Sequence, residues 1–220
     1  MLNRVQLSAL LVIAALLWGG LLVLDGVKVQ VAWLRPFSAV VGVVLLILLA
    51  FDLWAWRLRI LRGWFVPRPN LRGTWRVELT SDWKEPESDN PVGAITAFLV
   101  IRQTFSTLSV RMLTKESSSE VVAAEINKGA DGTYRVAAVY RNEPMISIRE
   151  RSPIHYGGML VNVHGDPVEE LAGHYWTDRQ SRGALRTVAR HDSIVSSYGK
   201  ALTLGAGAAE SDVHTSQKGH

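Results

Sequence analysis

The chain has 220 residues, with 24 basic and 20 acidic side chains, a formal net charge of +4, and 48% apolar content. The absence of cysteine excludes a disulfide framework and any thiolate metal site. The length leaves room for one moderate domain and an appendage. Neither a long basic tract nor a base-reading helix occurs, which excludes a DNA- or RNA-binding class.

Taken in order, Leu7–Leu24 is 18 residues without a charge, about 27 Å as a helix and enough to cross a hydrocarbon core. A secretory signal would have a shorter apolar core and then a small-x-small cleavage site. Here Asp25, Val27 and Lys28 follow instead. Phe37–Phe51, extended to Trp54 past Asp52, is a second apolar run, and Pro36 suits its first turn. The short Asp25–Arg35 connection makes these an antiparallel hairpin. Residues 1–56 are therefore predicted to hold two transmembrane helices, about 7–24 and 37–54.

Next comes a stretch, Asp52–Trp75, with five arginines (Arg57, Arg59, Arg62, Arg68, Arg72) and four tryptophans (Trp54, Trp56, Trp64, Trp75). Indole and guanidinium at the end of an apolar run are what a membrane–water interface selects, and arginine is retained on the cytoplasmic side. The connecting loop carries Lys28 and Arg35 only. This imbalance predicts that the N-terminus and the C-terminal domain are cytoplasmic and that the connecting loop lies outside. Residues 57–70 read as a basic juxtamembrane linker, in which Pro67 and Pro69 end any helix.

Eight strands follow, at roughly 73–80, 95–104, 107–114, 119–126, 133–140, 156–164, 171–177 and 184–190. Period two is plain in Trp75, Val77 and Leu79 against Arg76, Glu78 and Thr80, and again in Leu108, Val110 and Met112. Gly- and Asp-rich turns separate the strands, so neighbours pair antiparallel. The prediction for 71–190 is an all-β, eight-stranded, up-and-down, lipocalin-like small barrel, with a sandwich as the rival. Residues 191–220 are small and polar and are expected to be disordered.

Catalytic signatures are missing: there is no GxSxG, no phosphate loop and no kinase-like motif. His155, His164, His174 and Asp166 lack metal-ligand spacing, and Glu169-Glu170 reads as a solvated turn. An enzyme is not expected. Two clusters stand out, Tyr140–Pro144 and Leu171–Arg179. If Tyr175 faces the lumen, period two sends Gly173, Thr177 and Arg179 the same way. An arginine beside a tyrosine at a barrel mouth can hold phosphate and stack on a base. The plainer alternative is a tyrosine closing the barrel and an arginine reaching solvent.

The order of these features, over residues 1–190, resembles a bacterial anti-phage family. These are the CD-NTase-associated, two-transmembrane β-barrel effectors of CBASS defence. The matching pieces are Gly73-x-Trp75, Tyr140-x-Asn142-x-Pro144, His155-x-Gly157, and Gly173-x-Tyr175-Trp176 with Arg179 and Gly183. The resemblance implies a receptor without a cofactor or metal. Its ligand is a cyclic dinucleotide made by a partner nucleotidyltransferase. Binding drives homo-oligomerisation through the membrane helices, and the membrane is disrupted in an abortive infection. On this reading Arg179, with Arg102, meets phosphates; Tyr140, Tyr175 or Trp75 stacks on bases; Asn142 and Thr104 read polar edges. A membrane-tethered, lipocalin-like carrier or sensor of a small apolar ligand is the alternative, since its first strand also opens on G-x-W. Interior charge separates the two.

Overall fold

A computed structural model describes residues 4–26, 34–82 and 93–204. They form two compact units, Met1–Phe51 and Asp52–His220. The first contains helix α1 (Arg4–Leu24) and all but the end of α2 (Leu34–Leu53), each starting about a turn earlier than predicted. Among the described residues no helix is long and apolar enough to cross a membrane. The structure therefore does not show the expected transmembrane hairpin, whose connection, 27–33, lies outside the described residues.

The second unit is a closed barrel of eight antiparallel strands in sequence order. They are β1 (Gly73–Ser81), β2 (Ile95–Gln103), β3 (Leu108–Leu113), β4 (Ser117–Lys128), β5 (Tyr134–Pro144), β6 (His155–His164), β7 (Glu170–Thr177) and β8 (Arg182–His191). The sandwich is ruled out because β1 pairs with both β2 and β8, which closes the sheet. Period-two side chains fill the lumen: Trp75, Val77, Leu99, Ile101, Met159, Val161, Leu171 and Leu185 are buried in one core. The wall has one thin seam. β3 meets β4 at a single register pair, Leu113 with Ser118, and the Met112 N–H donates to Ser119 Oγ instead, at 2.9 Å.

The barrel has a closed base. Residues of the predicted linker, with Leu71 after them, form its plug: Val66 and Leu71 are buried, and Gln103 bonds to the Leu71 N–H (2.7 Å) and the Pro69 carbonyl (3.0 Å). Arg68 donates to the Phe105 carbonyl, and the Tyr134 hydroxyl to that of Pro67. The end of α2, which belongs to this unit, joins the same base. The Asp52 carboxylate accepts the Ser106 N–H at 2.8 Å, and the Asp52 carbonyl accepts the Phe105 N–H at 2.9 Å.

The segment expected to be disordered from 191 is ordered to 204. Val195 and Ala201, the latter in a short helix over 198–204, are buried with Phe98, Val100 and Leu113 on the outside of β2 and β3. This explains why β2 is apolar on both faces. Its inner residues line the lumen, and its outer ones are roofed by the chain end.

Candidate ligand-binding site

Opposite the plug, the barrel opens into a cup of about 510 Å³. That volume lies in the range typical of small-molecule sites, about 300–1,000 Å³. Leu79, Met112, Tyr140 and Tyr175 form its apolar lower part. Beneath Met112 and Tyr140 only a void of about 10 Å³ remains, so the lumen below is filled. Higher up, the wall turns polar with Ser117, Ser119, Asn142, His155 and Thr177, and the rim carries Lys115, Glu116, Arg151 and Arg179.

The two tyrosines sit where they do because each lies over a glycine of the adjacent strand. Tyr140 pairs across from Gly157, and Tyr175 from Gly183. A Cβ at Gly157 would lie 2.5 Å from the Tyr140 ring, and one at Gly183 would lie 2.8 Å from the Tyr175 ring. The glycines thus leave room for flat rings against the wall. Burial pushes both phenols above their ordinary value; Tyr175 and Asp178 add to the rise at Tyr140, while a Ser81 hydrogen bond opposes it at Tyr175. Both rings stay neutral near pH 7 and present faces on which a base can stack.

Arg179 stands at the tip of the β7–β8 turn, which is held by Thr177 N–H to the Ser181 carbonyl (2.9 Å) and by Gln180 in a left-handed conformation. It reaches across the mouth and donates to Ser152 Oγ at 2.8 Å, a neutral partner that leaves its charge uncompensated there. Arg151 pairs with Glu116 at 3.0 Å, with both side chains about half exposed. Such a pair is worth about 0–1 kcal/mol, so an incoming phosphate can compete for Arg151. His155 is buried, and its Nδ1 lies 2.9 Å from the Pro153 carbonyl. A carbonyl only accepts, so Nδ1 carries a proton, and in the neutral ring Nε2 is the acceptor.

Of the residues predicted for the site, Tyr140, Asn142, Tyr175 and Arg179 come together in this cup. The other three do not. Trp75 is fully buried near the base, with its Nε1 donating to the Leu71 carbonyl at 2.9 Å and Arg190 over its ring at 4.8 Å. Thr104 lies in the β2–β3 turn, bonded to Thr107 at 2.8 Å. Ile95, at the other end of β2, is the residue that lines the cup. A strand of nine residues separates them, about 30 Å at roughly 3.3 Å per residue. Arg102 is exposed between the inward-facing Ile101 and Gln103 and points away from the lumen. Sequence reasoning passed over His155, Lys115 and Arg151. His155 shares the lumen parity of Gly157 and Met159, whereas the two cations sit in turns where period two says nothing.

A closed small barrel, plugged at one end and opening at the other on neutral aromatic faces under a cationic rim, defines a receptor for a compact anionic ligand. Residues 66–188 match the family model described as "Cap15, cyclic dinucleotide receptor domain". The chain belongs to that family, whose ligand is a cyclic dinucleotide. It is also 24% identical over 157 residues to CD-NTase-associated protein 15 of Staphylococcus schleiferi, covering 71% of this chain and 80% of that one.

Proposed function

We propose that this protein is a membrane-anchored effector of bacterial anti-phage immunity that binds a cyclic dinucleotide in the barrel mouth. The observation that carries the site is the grouping of Tyr140, Tyr175, Asn142 and Arg179 in one cup of about 510 Å³. Two neutral rings offer stacking faces for two bases. Arg179, with Arg151 and Lys115 on the same rim, faces the two phosphates, and Asn142 and His155 Nε2 address base edges. The lipocalin-like alternative needs a deep apolar chamber, whereas the lumen under Tyr140 is filled and the cup above it is rimmed by Lys115, Arg151 and Arg179.

Membrane anchoring is part of the proposal. The Leu7–Leu24 stretch of α1 contains no charge. Among the described side chains of the two helices, large apolar ones are exposed, including Leu16 (71%), Leu24 (83%) and Leu46 (66%). A helix apolar on every side is suited to lipid rather than water. The five arginines of the Asp52–Trp75 stretch favour a cytoplasmic barrel and N-terminus. Ligand-driven association of the helices follows as the output, with disruption of the inner membrane. β2 offers the connection, since it runs from the cup at Ile95 to the turn held by Asp52 at the end of α2.

The test is calorimetric titration of the detergent-solubilised full chain with a panel of cyclic dinucleotides, on parent and Arg179→Ala. Loss of a charge-assisted contact costs about 1.5–3 kcal/mol, roughly a tenfold to hundredfold loss of affinity. The parent is expected to bind at least one of the panel and Arg179→Ala to bind it that much more weakly. Equal binding by both would place the phosphates elsewhere.

A further inference from the structure

The barrel's other end carries a second cationic concavity that the nucleotide site does not use. Two adjoining cavities, about 190 and 780 Å³, share Arg62, Gly63, Asn70, Asp166, Pro167 and Arg190 in their walls. Arg59, Arg68 and Lys128 add to the lining, so five cations face two carboxylates, Asp166 and Asp192. Arg68 is already committed to the Phe105 carbonyl. Arg190 is different. It lies over the Trp75 ring and donates through Nη2 to the Arg72 carbonyl at 2.9 Å, yet its Nε is buried without a hydrogen-bond partner.

A buried guanidinium N–H with no acceptor is costly. Among the described residues no carboxylate is within ion-pair distance of Arg59, Arg62 or Arg190. Burial and the nearby Arg62 both disfavour the charge on Arg190, although Asp192 supports it. An anion in the concavity would offset the clustered charge of Arg59, Arg62 and Arg190. The surroundings say which anion: Ile60 (77%), Trp64 (74%) and Phe65 (56%) are exposed within the same short segment as Arg59 and Arg62. Exposed apolar side chains beside a cationic hollow match a molecule with acyl chains below a phosphate, and polybasic surfaces next to a membrane attract anionic lipid.

We propose that this basal concavity is a binding site for the phosphodiester headgroup of an anionic phospholipid, with Arg62, Arg59 and Arg190 on the phosphate. Ile60, Trp64 and Phe65 meet the acyl boundary. The inference rests on the membrane reading of α2, and it adds a lipid requirement to the anchor.

The experiment uses the full chain in a neutral detergent. Its melting temperature is followed against phosphatidylglycerol, phosphatidylcholine and inorganic phosphate, in the parent and in Arg59→Gln/Arg62→Gln. Phosphatidylglycerol at saturation is expected to raise the parent's melting temperature by about 5 °C or more. Phosphatidylcholine should leave it in place, and the double variant should lose most of the rise. Equal shifts with both lipids, or an undiminished rise in the double variant, would overturn the site. An equal shift with inorganic phosphate would make it a free-anion site and overturn the lipid assignment. Loss of cyclic-dinucleotide binding in the double variant, measured without lipid, would make the concavity part of the nucleotide site and overturn the proposal. A lipid-selective shift in a protein that binds no cyclic dinucleotide would instead sink the receptor reading alone. Arg59→Gln, at an exposed side chain, replaces the double variant if the latter does not fold.

Discussion

Gly157→Ala tests the geometry that holds the cup together. An added Cβ would lie 2.5 Å from Tyr140 Cζ, 2.5 Å from its hydroxyl oxygen, and 2.7 Å from the Trp176 carbonyl oxygen. The first two contacts could be relieved by swinging the phenol into the cup. The third is backbone of β7, the strand paired with β6 at this point, and it can be relieved only by moving a strand. Overpacking of this kind costs about 1–3 kcal/mol, or roughly 2–12 °C in melting temperature at about 2–4 °C per kcal/mol for a chain of this size. Ligand binding should suffer separately, because a displaced Tyr140 no longer offers its face; a lost base–aromatic stack costs about 1–3 kcal/mol. Differential scanning fluorimetry and calorimetry on the detergent-solubilised full chain read the two effects. Gly157→Ala/Tyr140→Leu should recover part of the stability, by removing the ring contacts, and none of the affinity. An unchanged melting temperature in Gly157→Ala would mean that β6 and β7 are not packed as described. Normal affinity alongside a lowered melting temperature would remove Tyr140 from the site.

Glu116→Gln frees Arg151 from an exposed pair worth about 0–1 kcal/mol; nucleotide affinity should rise by up to about fivefold and become steeper in salt, and a fall would show that Glu116 itself contacts the ligand. Tyr140 and Tyr175 have phenols raised by burial, so the folded barrel holds their protons more tightly than the unfolded chain does. Stability is therefore full below the ordinary phenol value near pH 10 and falls as pH rises above it. In an absorbance titration of the folded protein Tyr140 and Tyr175 should ionise above the ordinary phenol value; ionisation of both at that value would contradict their burial. Val195→Asp places a charge against Phe98 and Val100 and forfeits about 1.5–3 kcal/mol of apolar burial, so it should lower the melting temperature by several degrees. A neutral result would return the segment after His191 to the disordered tail first expected.

Most of the barrel was legible because strand pairing here is local. Each strand is followed by a turn and then by its own neighbour, so period two and turn chemistry suffice to count strands and assign faces. That rule sets Tyr175 and Arg179 on one face, the family motif points to Tyr140 and Asn142, and all four meet in the cup. The same rule excludes Arg102, since Ala97, Leu99 and Ile101 form the inward set of β2; charge alone suggested it. The family was also legible, through short motifs kept in order along residues 66–188.

Tertiary structure decided what periodicity cannot express. Period two names a face but not an end, and both ends of a lumen-facing row look alike in sequence. Trp75 shares the inward parity of Leu79, yet it lies by the plug, while Leu79 lines the cup. Which end is closed depends on contacts between residues far apart in the chain, such as Gln103 with Pro69 and Leu71. The role of the segment around Val66–Leu71 as that plug, the roof that 194–204 lays over the outside of β2, and the arrival of Arg151 and Arg179 on one rim are decided in the same way. Each is fixed by where a closed barrel brings its turns and its chain ends, and no local pattern of residues records that.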